Sequence, residues 1–313
     1  MIIKRVLQAI PMLIVISIVS FLLIKFAPGD PVQAYITPEM NAVDIERITH
    51  NLGLDRPIHI QYFNWLKNAL QGNLGFSLVN HRPVIDQIIE RLPATLGLMG
   101  AALLLSIIIG IPLGLLSAQY QNKFLDNIAT LFSYIGISIP SFWFAMMLIY
   151  TFSLKMGILP SIGMRSIGVN TTWDLIKHGI MPTIVLSLQS TSVITRYIRS
   201  STISELKEDY VTVAYASGAR KSEVLYKYVL KNSILPVITI LGMSLPGLVS
   251  GAFITETVFG WPGMGQLGIK SIFSYDYPLI MAITLFSSLL LIVGNLLSDI
   301  LYGVADPRIK ELS

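Results

Sequence analysis

Cysteine is absent from all 313 residues, which excludes disulfide frameworks, thiolate zinc sites, iron–sulfur clusters and thiol catalysis. Charge is scarce too, at 13% of the chain against 53% hydrophobic types. Soluble domains carry about a quarter charged residues. With a mean hydropathy of +0.67, a water-soluble fold would expose apolar patches that it could not hide. Lipid is the simpler solvent, and the chain reads as an all-α polytopic membrane protein. A net charge of +4 does not point to nucleic acid, because the basic residues collect in particular connecting segments.

Motifs for chemistry are missing as well. Gly263-Met264-Gly265-Gln266-Leu267-Gly268 spells G-x-G-x-x-G, but no strand–helix unit surrounds it. Ile269 stands between Gly268 and Lys270, so the phosphate cradle of a Walker A loop fails. The four histidines, His50, His59, His81 and His178, lack metal-site spacing and are expected to be solvated. No Ser lies in a G-x-S-x-G elbow. The chain is therefore expected to be no enzyme, to bind no metal or cofactor, and to need another chain for any ATP.

What the sequence has is long apolar runs. A bilayer core needs roughly 20 apolar helical residues, and six stretches qualify: about 6–27, 95–118, 131–154, 179–198, 236–255 and 278–301. With the N-terminus inside, the inner connections hold 12 Lys and Arg in about 70 positions, against 8 in about 112 outside. That bias favours both termini in the cytoplasm. The first run is expected to be an uncleaved anchor, since no small-x-small cleavage site follows it. Ionisable residues in the runs are few and near the ends: Lys25, Lys155, Arg196 and Asp299. A self-powered carrier would usually bury a carboxylate near the midplane.

Within the spans, Gly110 and Gly114 flank Pro112, and Gly247 and Gly251 make a second pair four apart just after Pro246. Such pairs let helices approach closely, and the prolines suit bends relevant to gating. In the outer segment 28–94, Asp55-Arg56-Pro57 suits a helix start. Ile85, Ile88, Ile89 and Leu92 form an apolar stripe that Pro93 should close. An interfacial helix and a small extracellular cap both fit that stripe.

The longest inner connection, 196–235, gathers Ala214, Ala216, Ser217, Gly218 and Ala219, then Arg220 and Lys221, then the apolar Val224, Leu225, Tyr228 and Val229. A helix break at Gly218 would let a short segment seat in a partner's groove. On composition alone it could equally be a basic inside loop. The stretch Glu208-Asp209-Tyr210-Val211-Thr212-Val213-Ala214-Tyr215-Ala216-Ser217-Gly218-Ala219 resembles the cytoplasmic EAA loop of ABC-importer permeases. More closely, it resembles the B-type membrane subunit of the dipeptide/oligopeptide/nickel importers. The similarity continues in Ala27-Pro28-Gly29-Asp30-Pro31, Leu52-Gly53-Leu54-Asp55-Arg56-Pro57, Arg91-Leu92-Pro93-Ala94-Thr95 and Pro140-Ser141-Phe142-Trp143. It ends in Glu256-Thr257-Val258-Phe259-Gly260-Trp261-Pro262-Gly263-Met264-Gly265 and Asp306-Pro307-Arg308. The general EAA pattern has Glu and Ala where Thr212 and Val213 stand here, a departure shared by the peptide-class subunits.

The resemblance implies a type I ABC importer permease fold in a bacterial or archaeal inner membrane. It divides the chain into 1–94 (first span and outer segment), a permease core over 95–305 and a cytoplasmic tail over 306–313. The implied partners are a homologous C-type permease, two cytoplasmic ATPase subunits that bind ATP and Mg, an extracytoplasmic substrate-binding protein, and lipid. Tyr210, Ala214, Ala216, Ser217, Gly218, Ala219, Arg220, Lys221 and Leu225 would form the ATPase-coupling loop. Glu256, Trp261, Pro262 and Gly263 would form an outer loop of unassigned role.

Overall fold

The computed structural model describes residues 2–26, 41–51, 53, 55–234, 237 and 252–305. Helix α1 (Ile2–Phe26) has 25 residues and is apolar over Ile10–Leu23. Two short helices, α2 (Ala42–Asn51) and α3 (Ile58–Leu70), follow. Helix α4 (Val84–Gln119) then runs for 36 residues, about 54 Å at 1.5 Å per residue. Next come α5 (Phe124–Ser138) and α6, which opens as Ser141–Leu148 and continues as a π-helical stretch, Ile149–Lys155. Helix α7 (Thr172–Glu205) has 34 residues. After the short α8 (Asp209–Ala216), α9 starts at Lys221–Glu223, turns π-helical over Val224–Val229 and ends over Leu230–Ser233. The last elements among the described residues are α10 (Phe253–Val258), α11 (Met264–Phe273) and α12 (Tyr277–Ala305). Among the described residues the only β pairing is one antiparallel bridge, Phe76 to Pro83.

Helix α4 and the Tyr277–Leu296 part of α12 are each long and apolar enough to cross a membrane. Helices α5 and α6 qualify together, but they meet at 105°. The expected straight span over 131–154 is thus broken. Pro140 disfavours helical geometry at the residue before it, and Ile139 sits at φ −74, ψ 125. The expected fifth span, with Pro246, Gly247 and Gly251, lies mostly outside the described residues, as do Asp306-Pro307-Arg308 and the side chain of Asp299.

Two further expectations change. The stripe over 85–92 is no separate helix, because α4 passes through Pro93 without ending. Its buried Val84 and Ile88 pack on Met264, Leu279, Ala282 and Ile283, so this end of α4 is anchored on α11 and α12. That burial outweighs the one backbone bond that Pro93 removes. His178 is also not solvated. It is buried, and its Nδ1 lies 2.9 Å from the Asp174 carbonyl in the first turns of α7.

The centre of the fold is the pair α4 and α7, the most extensive helix contact. A Cβ at Gly110 would stand 2.9 Å from Ile194 Cγ2, and one at Gly114 would stand 2.7 Å from Ile198 Cβ. Only hydrogen at these positions lets the two backbones come so near. Pro112 lies between them inside α4. Gly136 of α5 plays the same part against Ser192 and Leu188 of α7, a contact the sequence reading did not single out. Helix α3 is held to α1 by Ser17 Oγ with Tyr62 Oη at 2.8 Å and by Lys25 Nζ, which donates to Gln61 Oε1 at 3.0 Å.

Candidate functional site

The segment between α7 and α9 is ordered from its own sequence outward. Helix α7 continues to Glu205, well past the Arg196 at which the inner connection was expected to begin. Helix α8 ends in a Schellman cap. The Ala219 N–H donates to the Ala214 carbonyl at 3.1 Å and the Gly218 N–H to the Tyr215 carbonyl at 3.0 Å. Gly218 takes φ +84 to close it, a conformation costing other L-residues roughly 1–2 kcal/mol. The helix break is therefore a built turn.

One face of this turn belongs to the protein's own core. Val211, Ala214, Val224, Leu225 and Val229 are buried with Leu115 of α4 and Ile194 and Ile198 of α7, and Tyr210 and Ala219 pack at the edge. Leu225 is only 3% exposed, so its surface is already spent inside the chain. Polar bonds close the back of the turn. Tyr210 Oη donates to Glu205 Oε2 at 2.6 Å, and Asn232 Nδ2 donates to the same oxygen at 3.0 Å. Burial and the Glu205 carboxylate push the Tyr210 phenol up to about 12.

The opposite face is open. Val213, Tyr215, Ala216, Ser217, Gly218, Arg220 and Lys221 are exposed, and no atom lies within 4 Å of where a Gly218 Cβ would stand. Val213 and Tyr215 are exposed there beside the two cations Arg220 and Lys221. Of the nine coupling-loop residues, the fold brings Ala216, Ser217, Gly218, Arg220 and Lys221 together on this face. Ala214 and Leu225 lie on the inner one.

At the far end of α4, Glu256, Trp261 and Gly263 meet in one buried cluster. The Trp261 indole donates to the Ala94 carbonyl at 2.9 Å. Thr95 Oγ1 donates to Glu256 Oε1 at 2.8 Å while accepting the Met264 N–H at 2.7 Å. The Gln266 N–H donates to Glu256 Oε2 at 3.0 Å. A Cβ on Gly263 would collide with Glu256 Oε2 and Thr95 Oγ1. Pro262 is half-buried beside it. This clasp ties the turn before α11 to α4.

The family described as the binding-protein-dependent transport system inner membrane component matches residues 110–311, and the N-terminal region of such membrane components matches residues 1–99. The chain belongs to this family. This permease is 42% identical over 311 residues to the oligopeptide transport system permease protein AppB of Bacillus subtilis (strain 168), covering 99% of this chain and 98% of the relative. It is 37% identical over 309 residues to the glutathione transport system permease protein GsiC of Escherichia coli (strain K12), with 99% and 98% covered. A solved structure of the MetNI methionine ABC transporter, in an inward-facing conformation, superimposes with a TM-score of 0.57 at 16% identity. That match covers 71% of this permease and 97% of the other chain, and it shows a shared fold. The permease is thus an inner-membrane protein of the ABC-importer kind.

Proposed function

We propose that this permease forms half of the translocation path of an ATP-driven, binding-protein-dependent importer of peptides. In this reading the chain crosses the membrane six times with both termini in the cytoplasm. It pairs with a homologous C-type subunit and receives substrate from an extracytoplasmic binding protein. ATP and Mg act on two separate cytoplasmic ATPase subunits. Relatives named for oligopeptide and glutathione transport match from end to end, which supports short peptides as cargo.

The observation that carries the coupling role is the Schellman turn at Gly218. Its outward face is open, while its inward face is fastened to α4 and α7. Such an element can pass a partner's movement into the helices and bias a two-state bundle.

The variant Gly218→Arg tests this role. Its backbone is strained at φ +84, and its long cationic side chain enters the docking face. The variant should insert at normal levels, lose co-purification of the ATPase subunits and lose peptide uptake. Wild-type co-purification together with wild-type uptake would sink the assignment.

A further inference from the structure

Several polar groups on α7 are turned inward onto partners. The Ser187 carbonyl receives Ser106 Oγ at 3.2 Å, Thr195 Oγ1 donates to the Gly110 carbonyl at 3.4 Å, and Ser192 Oγ donates to the Leu188 carbonyl at 2.8 Å. Gln189 differs. It lies at the middle of the 34-residue helix, about 26 Å from its start. It is exposed, and its amide makes no hydrogen bond among the described residues. An amide left unpaired toward hydrocarbon costs roughly 2–7 kcal/mol. A mid-helix Gln in this state belongs beside water or a polar ligand.

Gln189 opens onto a cleft of about 290 Å³, lined also by Ile139, Ser141 and Phe144 at the α5–α6 bend, by Val185 of α7 and by Thr255 of α10. That is close to the lower end of ligand pockets, roughly 300–1,000 Å³, a size suited to one half of a shared path. Seven residues further on, Arg196 falls on the same helical stripe, about 10 Å nearer the coupling loop. It is exposed, its guanidinium lies 5.5 Å from the Tyr134 ring centroid of α5, and it has no carboxylate partner among the described residues.

We propose that this stripe of α7 faces the translocation path, with Gln189 pairing with the main-chain amides of the cargo peptide and Arg196 receiving its free carboxylate. The assignment rests on the peptide-importer reading above. The chemistry is complementary: a Gln amide both donates and accepts, as a peptide group does. The Arg fork binds a carboxylate through two parallel N–H bonds. Neither contact reads the cargo's side chains, so the stripe passes many sequences and selects for an uncapped C-terminus.

Because the chain has no native cysteine, Gln189→Cys places a single thiol in it. The test uses the whole transporter in proteoliposomes and a charged, membrane-impermeant methanethiosulfonate, with labelling read on this chain by mass spectrometry. The introduced thiol should label in the nucleotide-free or the vanadate-trapped state, and trialanine with binding protein should slow labelling several-fold. In a second arm, Arg196→Gln should raise KM for trialanine about tenfold or more, as loss of a charge-assisted pair implies, and should leave C-terminally amidated trialanine unaffected. A thiol silent in both states, or equal effects of Arg196→Gln on free and amidated trialanine, overturns the proposal. The second arm stands on its own where the Gln189→Cys complex fails to assemble. A wild-type transporter that moves no peptide overturns the peptide reading instead, and the labelling still decides whether the stripe faces the path.

Discussion

Arg199 grips Asp126 with two nitrogens, Nε at 2.6 Å from Oδ1 and Nη2 at 2.8 Å from Oδ2, fastening the start of α5 to α7. The same carboxylate accepts the Asn122 N–H at 2.8 Å and the Ser117 hydroxyl at 2.5 Å. These donors converge on a side chain only 2% exposed, while Arg199 keeps 28% of its own exposure. The pair therefore joins the end of α4, the α4–α5 turn and α7 at one point.

Removing one partner leaves the others stranded. Asp126→Ala should destabilise the permease by about 2–4 kcal/mol, somewhat below the roughly 3–5 typical of fully buried pairs because Arg199 is partly solvated. Thermal unfolding in detergent measures the loss. Asp126→Ala combined with Arg199→Met should lose less than the two single variants added together. Strict additivity would show that the pair is not coupled.

The α4–α7 contact gives a sharper comparison. Gly114→Ala forces a methyl toward Ile198 Cβ and the Thr195 carbonyl, 2.7 and 2.8 Å from the ideal position. Overpacking of this kind costs about 1–3 kcal/mol. Gly100→Ala, on the same helix with open space around its Cβ, should be neutral or gain up to about 1 kcal/mol of helix propensity. Equal melting shifts for the two variants would rule out close approach as the reason for the glycine.

Tyr210 makes a pH prediction. Its phenol is raised to about 12 in the folded chain, against about 10 when unfolded. A raised folded value means that the contribution is complete below about pH 10 and is lost as pH climbs through about 12. The stability gap between wild type and Tyr210→Phe should therefore be constant near neutrality and shrink across that alkaline window. Denaturant melts at stepped pH follow it, and a gap that widened there would reverse the sign.

Glu256→Gln should loosen the outer clasp. The Thr95 hydrogen is committed to Glu256 because Thr95 Oγ1 already accepts the Met264 N–H, and the Gln266 N–H points at the other carboxyl oxygen. An amide in that place must turn its NH2 against one of these donors. The cost is roughly 1–3 kcal/mol, visible as a lowered melting point and faster proteolysis within 256–277. A variant with wild-type melting and wild-type protease resistance would contradict the accounting of donors.

Much of this architecture is legible in apolar runs. The runs 6–27, 95–118 and 278–301 fall within or across α1, α4 and α12, and Gly218 is a helix terminator in sequence and structure alike. Hydropathy averages over windows, however, and could not register a bend confined to Ile139 and Pro140. Pro93 misleads for the converse reason. It is a local stop signal overridden by the packing of Val84 and Ile88 on residues far along the chain, from Met264 to Ile283. The Thr95–Glu256 bond spans 161 residues, and no periodicity carries such information. Leu225 shows the limit from the other side, since an apolar face in a loop is the same pattern whether it meets a partner or, as here, its own core.

The fastening of the Gly218 turn has a mechanical consequence. Val211, Leu225 and Val229 are sunk among Leu115, Ile194 and Ile198, and Glu205 ties Tyr210 and Asn232 to the end of α7. A linkage with so little play transmits displacement where a slack tether would absorb it. Glu205 and Gln189 lie about 24 Å apart on one unbroken helix, so the turn and the exposed amide belong to a single rigid element.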